Sequence, residues 1–372
     1  MADLEPATLI GAAAFALGLV FGAISQLTGF CTMGALSDVV FMDDWRRLRA
    51  WMLALAVALV GTQGLHAAGW IDLGRSVYLG TPQSWGDAVL GGLMFGLGMV
   101  LAGGCGAKTL VRLGGGNLKS LVVVLVTGLF AMMTLKGLLA PLRLGLERLT
   151  ALAAAGSPGP PALRAGLVAL IGGGLGWWAL KDAEFRRSKP DLLSGVAIGA
   201  LIPAGWAASG VLGADPFEPA PLTSLSFAAP IGGTLTYLMT WTGATLSFGV
   251  AAVAGTIAGA FAAAALRREL RFEGFTCTPD LLRHLAGAAL MGSGGVLALG
   301  CTIGQGLTGV STLSPVSPLA LLAIIAGGVL GLKRLEEGSF AAAFKALVRS
   351  RGLSATPADG NHRPHPGNGC SG

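Results

Sequence analysis

Three cysteines share one setting along this chain: Cys31 in LTGFCTMGALSD, Cys105 in LAGGCGAKTLVRLGGGN and Cys301 in LALGCTIGQGLTGVS. Each follows an apolar run, has a glycine within two residues upstream, and precedes a short semi-apolar stretch that ends in a turn. A thiol is a weak hydrogen-bond donor and acceptor, soft and polarizable. Thiols in series suit a soft anion with a terminal sulfur, because passage needs weak successive sites more than one deep well. A thiolate would repel an anion, so this chemistry requires the protonated form. A lone cysteine in an apolar helix is ordinarily a small packing residue; three at glycine-marked breaks form a pattern that packing alone does not require. Cys277, in the charged stretch RRELRFEGFTCTPD, and Cys370, near the end of the chain, lack this setting and are given no role.

The elements that must hold such thiols are broken helices. Glycine lets a chain stop and reverse at membrane depth, where irregular backbone survives only if it is buried in protein or lines a cavity. Three re-entrant elements are therefore expected, each presenting a thiol beside the freed N–H groups of a short helix, which face an anion with positive partial charge. Lys108 and Arg112 are four residues apart, share one face of the helix after Cys105, and are candidates to attract the anion. Gln26 and Gln305, each within five residues of a motif cysteine, are candidate donors to an oxyanion, or helix-packing residues. His284 reads as interfacial, and Trp177 and Trp178 as part of an aromatic belt.

Composition sets the environment. The chain has 372 residues, 53% hydrophobic and only 12% charged, about half the charged fraction of a soluble domain. Its 60 glycines follow no collagen-like period and fit helices packed through small faces. We expect an all-α integral membrane protein. Apolar runs long enough to cross a bilayer lie near 7–27, 48–70, 86–104, 117–139, 162–180, 192–213, 244–266, 281–300 and 317–334, about nine spans, with 228–243 as a partial one. Residues 351–372 read as a disordered tail after a single membrane domain, 1–350. Twenty of the 25 lysines and arginines fall in alternate loops and in the C-terminal segment. By the positive-inside rule the N-terminus is outside and the C-terminus cytoplasmic. Basic residues spread over short loops are topology signals and not a nucleic-acid face. With no CxxC and four histidines, no metal, cofactor or disulfide framework is suggested.

An internal repeat organises the spans. Residues 91–105 (GGLMFGLGMVLAGGC) and 287–301 (GAALMGSGGVLALGC) are identical at 8 of 15 positions, ending on Gly104-Cys105 and Gly300-Cys301. One copy lies on the third span and the other on the eighth, which cross in opposite directions. Two inverted pseudo-symmetric halves, roughly 7–140 and 190–335, joined by the span 162–180, form a transporter pattern with the site near the midplane.

At GFCTMG, GGCGAKTLVRLGGGNLKSL and LRHLAGAALMGSGGVLALGCTIGQGLTG the sequence resembles the YeeE/YedE family of sulfur-transport proteins, a likeness that extends in hydropathy over most of residues 7–335. The resemblance implies thiosulfate uptake across a bacterial inner (plasma) membrane, nine spans with short re-entrant helices, and conduction past Cys31, Cys105 and Cys301. It also implies paired CxxG motifs, Cys31–Gly34 and Cys301–Gly304, whereas Lys108 stands where Cys105 would have its glycine. A small cytoplasmic sulfur carrier of the TusA type is an implied partner, and some relatives are assigned to selenium or other sulfur compounds.

A transporter, and not an enzyme, is the expected class. No Walker motif is present, and acidic residues are nearly absent within the spans. A thiol-dependent intramembrane sulfurtransferase would need a base beside a cysteine; Asp38, seven residues after Cys31, is the nearest in sequence. An electron-transfer protein lacks its paired histidines.

Overall fold

Without water, a backbone can satisfy its own hydrogen bonds across a membrane only as helix or closed barrel, and the apolar runs fold accordingly. The computed structural model describes residues 6–152, 160–213, 221–275 and 277–337. In chain order its helices are α1 (Pro6–Thr28), α2 (Thr32–Met42), α3 (Arg46–Ala67), α4 (Trp85–Leu101), α5 (Gly106–Gly114), α6 (Leu118–Leu135) and α7 (Ala140–Thr150). There follow α8 (Pro161–Leu180), α9 (Ala183–Arg187), α10 (Lys189–Val211), α11 (Ala228–Met239), α12 (Phe248–Leu266), α13 (Thr278–Leu297) and α14 (Val316–Glu337). A π-helical turn, Gly304–Gly309, lies between the last two. Two-residue strands, Gln83–Ser84 and Ala151–Leu152, pair antiparallel at one edge.

Nine long helices among the described residues, α1, α3, α4, α6, α8, α10, α12, α13 and α14, coincide with the nine expected spans. Eight stretches are long and apolar enough to cross a membrane, so this is a multi-pass all-α membrane protein. The helix outside that set is α13, 20 residues long, whose first two turns carry Asp280, Arg283 and His284. It packs against α4, α6 and α11, so protein covers much of its surface and lipid less. The partial span at 228–243 is α11, only 12 residues and about 18 Å long, too short to cross. The expected tail, 351–372, lies outside the described residues.

Helix pairing has a regular plan. α1 packs along α12 and α10 along α3; α4 packs along α14 and α13 along α6; α4 also meets α13, and α1 meets α10. Exchanging α1, α3, α4 and α6 for α10, α12, α13 and α14 returns the same set of pairs. Glycines make the contacts close. Gly91 lies against Gly294, where a Cβ would be 2.7 Å from the Gly294 carbonyl, and Gly98 lies against Gly287, where it would be 2.7 Å from the Gly287 carbonyl. The repeat aligns 91 with 287 and 98 with 294, so each contact is the image of the other. The two helices therefore cross antiparallel at a local two-fold axis.

Candidate functional site

One backbone device precedes all three cysteines. The residue two positions before each has a positive φ: Gly29 (69°), Gly103 (72°) and Leu299 (55°). After α4, the Gly103 N–H donates to the Val100 carbonyl (3.2 Å) and the Gly104 N–H to the Met99 carbonyl (2.8 Å). After α13, Leu299 donates to Val296 (3.1 Å) and Gly300 to Gly295 (2.8 Å) in the same pattern. This is the left-handed helix stop of the Schellman type. The next residue but one is the cysteine, with extended backbone at Cys31 and Cys105, where it caps α2 and α5. Leucine occupies the left-handed position in the second copy, where the first has glycine.

The CxxG spacing has a physical reason. The Cys31 sulfur accepts the Gly34 N–H at 3.5 Å, and the Cys301 sulfur accepts the Gly304 N–H at 3.4 Å. Each sulfur thus serves its helix as an N-cap acceptor. Cys105, with Lys108 at the third position, makes no side-chain cap bond. A Cβ at Gly304 would collide with the Ser226 hydroxyl, so glycine there lets the 221–227 segment approach. Gly300 is less tight: a Cβ would lie 3.0 Å from the Gln305 nitrogen. Gly104 packs on the Lys108 stem.

Two of the three thiols share a cavity. Cys31 and Cys105 both line a narrow space walled by α1, α2 and α5, to which Ser25, Thr32, Lys108 and Ile303 contribute. The cavity has room for about one water molecule at most. Among the described residues, no carboxylate or histidine lines it. Cys301 is fully buried and not part of this lining, although Ile303, two residues on, is. Cys105 and Cys301 follow the C-terminal ends of two helices, α4 and α13, that cross antiparallel. Cys31, Cys105 and Cys301 are all free thiols.

Beyond the Gly103 break a wider polar cavity of about 500 Å³ opens, lined by Gln26, Arg112, Lys119, Arg271, Arg283 and His284 together with Glu273 and Asp280. Cations outnumber carboxylates there. Arg112 does not join Lys108 at the thiols: its Nη1 donates to the Gly103 carbonyl at 2.6 Å and braces the helix stop. Lys119 and Arg283 both pair with Asp280, at 2.8 Å and 3.1 Å. Gln305 is fully buried and turns its Nε2 to the Ala298 carbonyl at 2.5 Å, bracing the second stop as Arg112 braces the first. Asp38 pairs with Arg47 at 3.3 Å and does not line the thiol cavity. Trp178 carries the Arg49 guanidinium over its ring at 4.8 Å and Trp177 the Lys181 ammonium at 5.2 Å, as an interfacial belt would.

Sequence reasoning missed three residues. Tyr78, from the α3–α4 loop, donates its hydroxyl to the Gly304 carbonyl at 2.7 Å, and nothing in its local sequence announces that. Ser25 and Thr32 line the thiol cavity with hydroxyls that have no hydrogen-bond partner. Thr32 had a signal: the second motif repeats it as Thr302, also buried and also without a partner.

Helices that break inside an apolar bundle and present thiols to a cavity define a class of multi-pass membrane proteins suited to moving a small solute. The profile of the family described as Sulphur transport matches residues 27–330, and the chain belongs to that family. It is 27% identical over 321 residues to the thiosulfate transporter TsuA of Escherichia coli (strain K12), covering 78% of this chain and 84% of that protein. It is also 27% identical over 343 residues to the thiosulfate transporter TsuA of Spirochaeta thermophila, covering 80% of this chain and 91% of that protein.

Proposed function

We propose that this protein takes up thiosulfate, or a closely similar sulfur-containing anion, across a bacterial inner membrane along a path that passes its three free thiols. The observation that carries the proposal is the cavity in which Cys31 and Cys105 meet beside Lys108 with no carboxylate in the lining. A cavity of donors and one cation favours an anion, and soft thiols favour its terminal sulfur. The protein consists of two inverted halves, 7–140 and 190–335, linked through 162–180, with the N-terminus outside and the C-terminus in the cytoplasm. In that orientation α13 ends towards the outside and α4 towards the inside. The anion meets Cys301 first, then the Cys31–Cys105 pair, and leaves through the basic mouth at Arg112, Lys119 and Arg271. A cytoplasmic sulfur carrier of the TusA type would receive it there.

An intramembrane sulfurtransferase is less well supported, because a transferring thiol needs a base and the thiol cavity has none in its lining. The test is accumulation of sulfur-labelled thiosulfate by cells expressing the wild type, Cys31→Ala, Cys105→Ala, Cys301→Ala or the triple variant. Uptake by the wild type that fails in the single variants supports the path. Normal uptake by a correctly inserted triple variant refutes it, and label that enters but is not processed further points to the enzyme.

A further inference from the structure

Many hydroxyls in the helices of this protein satisfy themselves locally, although Thr62 and Ser317, away from the thiols, do not. Thr28, Thr109, Thr134 and Thr256 each donate to the carbonyl four residues back, at 2.8–2.9 Å. Ser25 and Thr32 do not. Both are more than nine-tenths buried, at 1% and 5% exposure, both lack any partner, and both line the cavity of the Cys31 and Cys105 thiols. Ser25 lies on α1, where a carbonyl four residues back is within reach of an ordinary serine rotamer. An unmade bond from a buried polar group is costly, and two in one cavity point to a partner that comes and goes.

We propose that Ser25 and Thr32 form an oxygen-binding subsite, donating hydrogen bonds to the oxygens of an oxidised-sulfur anion while the Cys31 and Cys105 thiols meet its terminal sulfur. This rests on the uptake function proposed above and adds a second recognition element to it. Lys108, in the same lining, supplies charge without direction; the hydroxyls supply direction. The division sorts ligands by chemistry. An anion with both a terminal sulfur and several oxygens engages both sets of donors, sulfate engages the hydroxyls alone, and hydrosulfide the thiols alone. Thr302, fully buried and unpartnered in the second CTxG motif, is placed to repeat the arrangement beside Cys301.

The test compares Thr32→Val, Ser25→Ala and Thr32→Ser with wild type and Cys31→Ala. Initial rates of labelled thiosulfate uptake into proteoliposomes are measured against concentration, and the melting temperature of each purified protein is recorded. Because neither hydroxyl is bonded in the structure, Thr32→Val and Ser25→Ala should melt no lower than wild type. Their half-saturating concentrations should rise about tenfold, the weight of one hydrogen bond to a charged group, and Thr32→Ser should restore the wild-type value. Unchanged half-saturation in both variants, with Cys31→Ala inactive, overturns the subsite and leaves the thiol path standing. Losses of uptake that track a lowered melting temperature overturn it too, because they mark the hydroxyls as packing groups. A wild type that neither transports nor binds thiosulfate overturns subsite and function together.

Discussion

The antiparallel crossing of α4 and α13 can be tested by adding single methyl groups. At Gly98 a Cβ would sit 2.7 Å from both the Gly287 carbonyl oxygen and the Met291 nitrogen. At Gly287 it would sit 2.5 Å from the Ala102 nitrogen and 2.8 Å from the Gly98 carbonyl oxygen. Ordinary contact begins at about 3.4 Å, so either alanine must part the helices by roughly half an ångström or more at backbone that cannot turn aside. Overpacking of this kind costs about 1–3 kcal/mol. Because both methyls press on one crossing, the second should cost little once the first has opened it. The double variant Gly98→Ala/Gly287→Ala should then be less destabilised than the sum of the singles by about 1 kcal/mol. The control is Gly166→Ala on α8, where nothing lies within 4 Å of the added Cβ and the gain in helix propensity is about 0.5–1 kcal/mol. Thermal unfolding in detergent, followed by tryptophan fluorescence, gives the ranking. Single variants that melt with the Gly166→Ala control, or a double variant whose losses simply add, would refute the close two-fold crossing.

Three further outcomes follow from local geometry. Leu299→Gly should raise the melting temperature or leave it unchanged, since a leucine at φ 55° carries about 1–2 kcal/mol of left-handed strain; Gly103→Leu should lower it, and equal effects at the two positions would deny the shared helix stop. Tyr78→Phe leaves the Gly304 carbonyl without its donor at a cost of about 1–3 kcal/mol, and should destabilise the protein in the same melting assay while leaving insertion unchanged. Asp182, in the loop between α8 and α9, has its carboxyl held below the usual value of 3.8 by the Phe185 N–H first and by Arg49 among the charges. A depressed carboxylate stabilises above its unfolded pKa and loses that contribution as pH falls through the folded one. Melting temperature measured downward from pH 5 should therefore fall less steeply below pH 3.8 in Asp182→Asn than in the wild type; parallel curves would contradict the assignment.

The sequence carried the spans because lipid leaves a run of apolar residues little choice. It carried the breaks at Cys31 and Cys105 because glycine marks a left-handed stop. It was less informative where tertiary packing overrides local chemistry. α13 holds its place although Asp280, Arg283 and His284 lower its hydropathy, because neighbouring helices cover it. Leu299 adopts the conformation of Gly103 without being glycine, and only the repeat hints at it. The helices α7 and α9 are too short for their periodicity to be read across loops. At the site, the residue types were legible and their company was not. Nothing local says that Cys31 and Cys105 share a cavity from which Cys301 is absent, or that Arg112 turns away to brace Gly103. Ser25 and Thr32 resemble any small polar residue in a membrane helix until the missing partners are counted.

The most direct measurement is thiosulfate counterflow in proteoliposomes containing the wild type, Cys31→Ala or Cys105→Ala, with each variant shown to be folded and inserted. The account predicts rapid exchange of labelled for unlabelled thiosulfate by the wild type, and at least a tenfold slower exchange when either member of the thiol pair is removed. Exchange at the wild-type rate in Cys31→Ala and Cys105→Ala alike would contradict it, and would return both cysteines to the role of packing residues.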